Sequence, residues 1–109
     1  MATSVPLDRF EEVFDKLLAQ ETRAVVLFTS DRNEDGSYWC PDCEAVKPLY
    51  QTLEEEAQRA NLPLFVFGAG DRPTWKNPEN KLRKHKLVQI SSVPTLGLFD
   101  GKKVVRKLV

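Results

Sequence analysis

Several residue types that build catalytic and metal centres are nearly absent from this chain of 109 residues. It holds one histidine and two cysteines, too few for a four-ligand zinc site of the usual kind. No apolar stretch approaches the roughly 20 residues of a membrane span. Sixteen basic residues cancel sixteen acidic ones, so no net field draws the chain to nucleic acid or to a membrane surface. The start, Met1-Ala2-Thr3-Ser4-Val5-Pro6, lacks a basic patch followed by an apolar run, and no secretory signal is visible. A reducing, cytoplasmic setting is the expectation, and there a cysteine pair stays a dithiol until it works. Hydrophobic content of 41% and charged content of 29% fit one globular domain over residues 1–109 with a single core. No repeat, low-complexity tract or linker divides it.

The two cysteines lie together, in Trp39-Cys40-Pro41-Asp42-Cys43. Thiols two residues apart at a helix start can close a small disulfide ring without moving the backbone. The free N–H groups and dipole of the helix can hold one of them as a thiolate. Cys40, at the helix N-cap, is the expected nucleophile, its sulfur accepting N–H bonds. Cys43, one turn in, is expected to be more buried and to resolve the mixed disulfide. Pro41 suits the first helical position. Asp42 tunes the pair, in a direction the sequence leaves open, and is a candidate to take the proton of Cys43. Trp39 is expected to shield the site and to contact substrate.

The rest reads as alternating helices and strands. Leu7, Phe10, Val13, Phe14, Leu17 and Leu18 form one helical stripe ending near Gln20. Residues 24–28 predict a buried strand and residues 30–38 a polar loop. Residues 41–60 return to helical spacing, with Pro48 placed to kink the helix by removing the bond to the carbonyl of Glu44. A strand at 62–67, a break at 68–73, a short basic helix at 79–87 and a strand at 95–99 follow. Asp100-Gly101 predicts a tight hairpin into a last strand at 102–109. His85, between Lys84 and Lys86, reads as a solvated surface residue and not as a catalytic base. The run Glu54-Glu55-Glu56 and the cluster Lys81, Arg83, Lys84 and Lys86 read as solvated helix faces.

Trp-Cys-x-x-Cys after a strand, a proline-kinked helix, and Val93-Pro94-Thr95 before a hairpin resemble the thioredoxin superfamily. The motif has Pro-Asp between its cysteines where thioredoxin has Gly-Pro. The segment Gly70-Asp71-Arg72-Pro73-Thr74-Trp75-Lys76-Asn77-Pro78 follows the middle strand. With the long loop before Trp39, these features closely resemble the 14-kDa thioredoxin-related proteins (thioredoxin domain-containing protein 17-like), called Clot in plants.

The resemblance implies an α/β thioredoxin fold: a central mixed sheet flanked by helices, Cys40 as exposed nucleophile and Cys43 as resolving thiol. It implies a cis peptide at Val93-Pro94 facing the cysteines, with Trp39, Val93, Pro94 and Trp75 shaping a substrate surface. It also implies reduction of disulfide-containing proteins and of small disulfides such as cystine, with electrons from NADPH through thioredoxin reductase. The redox-active Cys40–Cys43 disulfide then serves as the working group, with no metal and no bound organic cofactor. The alternative is a redox-regulated binding or adaptor module that uses the same pair as a sensor.

Three departures stand out. Thioredoxin carries a buried aspartate in the strand before its motif, and residues 24–28 hold no acid, so Cys43 must lose its proton to Asp42, water or another group. The loop at 30–38 is long and is expected to reshape the rim and restrict large substrates. The family continues into a closing helix, whereas this chain ends at Val109, so one sheet face is expected to lack a cover.

Overall fold

The computed structural model describes residues 2–108. Five strands form one sheet: β1 (Ala2–Val5), β2 (Ala24–Thr29), β3 (Leu64–Gly68), β4 (Thr95–Phe99) and β5 (Val104–Leu108). Their spatial order is β1-β3-β2-β4-β5. β1 and β2 run parallel to β3, whereas β4 runs antiparallel to both β2 and β5. The helices are α1 (Phe10–Gln20), α2 (Pro41–Ala45), α3 (Lys47–Arg59), α4 (Arg72–Lys76) and α5 (Lys81–Lys84). This is the expected mixed sheet flanked by helices.

The sheet faces are unequal. Because strand side chains alternate, Ala24, Val26 and Phe28 of β2 join Phe67, Phe99 and the α1 residues Phe10, Phe14 and Leu17 in the main core. Phe10, Phe14, Phe28, Phe67 and Phe99 are fully buried, each contributing up to about 3 kcal/mol on removal from water. Their rings meet edge-on or offset, as in the Phe10–Phe67 and Phe14–Phe99 pairs with centroids 5.4 and 5.1 Å apart. On the opposite face Leu27, Leu64 and Ala57 of α3 make a small second core, flanked by Val25, Tyr50, Leu53 and Val66. Beside it runs an apolar groove lined by Leu27, Val46, Leu49, Leu53, Pro94 and Leu96, where Leu49 is 61% exposed.

Several elements differ from the sequence reading. β1 lies where no strand was expected: Ala-Thr-Ser-Val has little apolar signal, and three of its residues are exposed, so backbone pairing with β3 defines it. The helix at 41–60 is two helices, broken at Val46 (φ −97°, ψ 3°). The break falls where Pro48 cannot donate to Glu44, which is the physical content of the expected kink. The third strand begins at Leu64, after Pro63, whose carbonyl accepts from Val25 N–H at 2.9 Å. α4 occupies part of the expected break, started by Asp71, whose side chain accepts from Thr74 N–H at 3.0 Å. α5 is only four residues long. The last hairpin is not a two-residue turn: residues 100–103 connect the strands, with the Asp100 carboxylate accepting from the N–H groups of Lys102 and Lys103.

His85 is also not the solvated residue expected. It is half-buried, edge-on against Phe10 and Phe14 with centroids 5.5 and 4.9 Å away, and its Nδ1 accepts from Leu87 N–H at 3.2 Å.

Candidate active site

β2 carries the chain to Thr29 and Ser30 at the C-terminal edge of the sheet, and the loop returns it at Trp39. Inside the loop, Asn33 and Ser37 pair through their backbones (2.6 Å) and Arg32 bridges Tyr38. Gly36 supplies the positive φ of 87° that the turn needs. Tyr38 N–H donates to the Glu44 carboxylate of α2 at 2.9 Å. Cys40 N–H donates to Ser30 Oγ at 3.4 Å, and Ser30 Oγ donates to Asp31 O at 3.2 Å. The loop's end and the start of α2 are thereby joined to the end of β2.

Cys40 is the N-cap of α2 and Pro41 its first residue. Both cysteines are free thiols. Cys40 is 7% exposed and Cys43 0%, so the expected order of burial holds, but Cys40 is far less exposed than the resemblance implied. Its sulfur also does not cap the helix. The thiol turns the other way and donates to the carbonyl of Val93 at 3.5 Å. The Val93-Pro94 peptide is cis, and this loop lies directly over the cysteine. Pro41 and Asp42 are exposed, and Asp42 lines a shallow groove with Ala45, Val46, Ser92, Val93 and Pro94.

Burial pushes the Cys43 thiol up, and the adjacent Cys40 sulfur pushes it further. Hydrogen bonds from the Thr29 hydroxyl and Ser30 N–H pull it back. Asp42, the acid expected to take its proton, is not among the groups acting on it.

Trp39 is half-buried. Its Nε1 donates to Gly70 O at 2.8 Å, and the Arg72 guanidinium lies 5.1 Å from the ring centroid while donating to Trp39 O at 3.2 Å. Asp31 ties the same loop to the motif, its carboxylate accepting from Gly70 N–H at 3.1 Å. The segment after β3 is thus a buttress for Trp39, a role the sequence reading did not assign to it. Trp75 is placed differently from the expectation: 6% exposed, it belongs to the main core, with Arg83 stacked 3.9 Å from its ring centroid. It offers little surface to a substrate.

Residues 5–108 match the family model for the thioredoxin domain of thioredoxin domain-containing protein 17-like proteins. The chain belongs to that family. It is 39% identical over 85 residues to the thioredoxin-like protein Clot of Arabidopsis thaliana, a match covering 76% of this chain and 62% of that relative's length. To the Clot protein of Oryza sativa it is 33% identical over 108 residues, covering 91% of this chain and 78% of the relative. The fold matches thioredoxin f2 in its complex with ferredoxin:thioredoxin reductase, with a TM-score of 0.60 at 21% identity over 98% of this chain and 80% of that one.

Membership supports a role of the thiol-disulfide oxidoreductase type for this thioredoxin-fold protein. Among the described residues no three His, Cys, Asp or Glu side chains group as metal ligands, and no helix is long and apolar enough to cross a membrane. Thr29, Tyr50, Ser30, Gly70 and Arg72 are the site residues that the sequence reading missed. Only the loop signature around Gly70 gave any sign of them.

Proposed function

We propose that this protein is a cytosolic disulfide reductase working through Cys40 and Cys43, taking electrons from NADPH by way of thioredoxin reductase. Its substrates are disulfide-bonded proteins and small disulfides such as cystine. The observation that carries this reading is the position of the Cys40 sulfur, 3.5 Å from the Val93 carbonyl at the cis-proline loop, with Cys43 buried one turn behind it. A disulfide entering along this loop meets Cys40 first. The Cys40 thiolate attacks one sulfur, a mixed disulfide forms and the first substrate thiol leaves. Cys43 then attacks Cys40, the internal disulfide forms and the second substrate thiol leaves. The substrate gains two electrons and the pair loses two, which the reductase returns.

Trp39, Val93 and Pro94 border the approach, and the long loop narrows it for bulky proteins. A structural neighbour that shares the fold, thioredoxin f2, is seen in complex with ferredoxin:thioredoxin reductase, which is in keeping with a reductase-type partner for this chain.

The test is a coupled assay that follows NADPH consumption with thioredoxin reductase, this protein, and cystine or insulin. Turnover with cystine that disappears in Cys40→Ser supports the proposal, and weak use of insulin supports the narrowed rim. A folded protein with titratable thiols and no turnover on either substrate would replace this reading with the sensor module.

A further inference from the structure

A cleft of about 490 Å³ opens at the C-terminal ends of β1, β3 and β2, and neither cysteine is among the residues that line it. Its volume falls within the roughly 300–1,000 Å³ of small-molecule sites. Open α/β sheets bind ligands just outside the carboxyl ends of their parallel strands, and these three strands run parallel. Strand residues such as Ser4 and Thr29 form one wall, and the loop leaving β2 adds Ser30, Asp31, Arg32 and Tyr38.

The loop brings one cation and one anion to this cleft, and each is held by a different neighbour. Arg32 Nη2 donates to the Tyr38 hydroxyl at 3.3 Å, and the guanidinium lies 5.2 Å from the ring centroid. Tyr38 is buried, so a fixed ring aims an exposed guanidinium whose planar fork has N–H donors beyond the one used here. The Asp31 carboxylate leans toward the end of β3, where Oδ1 accepts from Gly70 N–H at 3.1 Å. Gly68 makes room for it: a Cβ there would lie 2.6 Å from Oδ1. That bond takes one lone pair of a group with about four.

We propose that this cleft binds a small zwitterion bearing an α-amino-acid group, its carboxylate on the Arg32 guanidinium and its ammonium on the Asp31 carboxylate. A simple anion would meet Asp31, and a simple cation would meet Arg32, so either brings like charges together. A neutral ligand would cover both charges and pair neither. A zwitterion answers both: its carboxylate matches the two-pronged guanidinium, and its ammonium has three protons for the acid and for the hydroxyl oxygens of the cleft wall. The volume is larger than one small amino acid fills. The recognised group therefore belongs either to a free amino acid or to one end of a longer molecule, such as a small disulfide. No bond is made or broken, and the site stands apart from the thiol chemistry.

The test titrates the reduced protein with L-serine at about pH 6, where the amine is charged, and follows backbone amide NMR shifts. The amides of Asp31, Arg32, Tyr38 and Gly70 should shift together and saturate. N-acetylserine lacks the ammonium and serine methyl ester lacks the carboxylate, and each should bind at least about 10-fold more weakly. Asp31→Asn keeps an acceptor for Gly70 N–H. It should weaken serine about 10-fold, abolish the preference over N-acetylserine and keep the preference over the ester. Arg32→Gln should do the reverse, abolishing only the preference over the ester. Lanthionine, a thioether with two such ends, distinguishes the sources. Tighter binding than serine assigns the cleft to the end of a disulfide-sized molecule, and weaker binding assigns it to a free amino acid; both support the zwitterion.

Amide shifts that never saturate with serine or lanthionine would overturn the proposal. So would equal binding of serine and its two capped analogues. Variants that weaken all three ligands alike would show damage to the loop and no charge recognition, which also overturns it, as would unchanged serine binding in both variants. None of these outcomes bears on disulfide reduction, which the coupled assay tests separately.

Discussion

The indole of Trp39 is held by the carbonyl of Gly70, 2.8 Å from Nε1, in a loop 31 residues further along the chain. Gly70 has φ +90°, and a Cβ there would lie 2.8 Å from the Thr74 methyl and 3.3 Å from Leu7. An alanine would be strained by its backbone and crowded by its neighbours. Gly70→Ala should cost about 1–3 kcal/mol in urea unfolding and shift Trp39 emission as the shelf moves. An unchanged midpoint and spectrum would show that the loop bends freely around the new methyl.

Asn80 holds the same loop from below. It is 4% exposed, donates to the carbonyls of Ala69 and Thr74 at 3.1 Å each, and accepts from Leu82 N–H as the N-cap of α5. Asn80→Ala removes the cap and leaves two inward carbonyls unpaired. The expected loss is about 2–4 kcal/mol, measured by denaturant unfolding. Asn80→Asp keeps a cap acceptor but sets a buried carboxylate oxygen against the carbonyls of Ala69 and Thr74, so it should cost at least as much as Asn80→Ala. An Asn80→Ala protein that unfolds at the wild-type midpoint would show that neither the cap nor the two carbonyl bonds contributes to stability.

Much of this was legible in the sequence wherever one residue acts on its near neighbours. The spacing of Cys40 and Cys43, Pro41 at a helix start and Pro48 against Glu44 are local facts, and the structure places them as expected. What escaped depends on distant partners. β1 exists because β3 offers an edge. Trp75 turns inward because Arg83 covers it. Thr29 and Tyr50, 21 residues apart, look like any strand threonine and helix tyrosine until β2 and α3 meet. The Cys40 sulfur was expected to bond along its own helix and bonds to Val93, 53 residues away.

His85 carries a pH dependence that its basic neighbours concealed. Burial against Phe10 and Phe14 lowers its pKa, outweighing the opposing pull of Asp15 and Glu11. The unfolded chain therefore takes up a proton at a higher pH than the folded one, and stability falls as pH drops below about 6.5. The fall ends once the folded-state pKa is passed. Urea midpoints between about pH 7 and about pH 5 should decline in the wild type and flatten in His85→Asn, which keeps an acceptor near Leu87 N–H. The carboxylates Glu11, Glu12, Asp71 and Asp100 have lowered values, so their own losses come at more acid pH and leave this window to His85. A slope that survives His85→Asn would assign it elsewhere.

The two thiols should differ sharply toward an alkylating agent. Cys43 has no exposed surface, and its thiol is held protonated by burial and by the Cys40 sulfur beside it. Attack on iodoacetamide requires both a thiolate and an approach path, and Cys43 lacks both. Cys40 keeps 7% exposure beside the open groove at Val93 and Pro94. The native protein near neutrality should take up one label, on Cys40, at least about 10-fold faster than a second. Peptide mapping after brief exposure would locate it. Raising the pH should bring Cys43 in only slowly, because access remains closed after its proton is lost, whereas urea should bring both rates together. First labelling at Cys43 would reverse the roles of the two cysteines, and Cys43→Ser, rather than Cys40→Ser, would then be the variant that loses the first exchange.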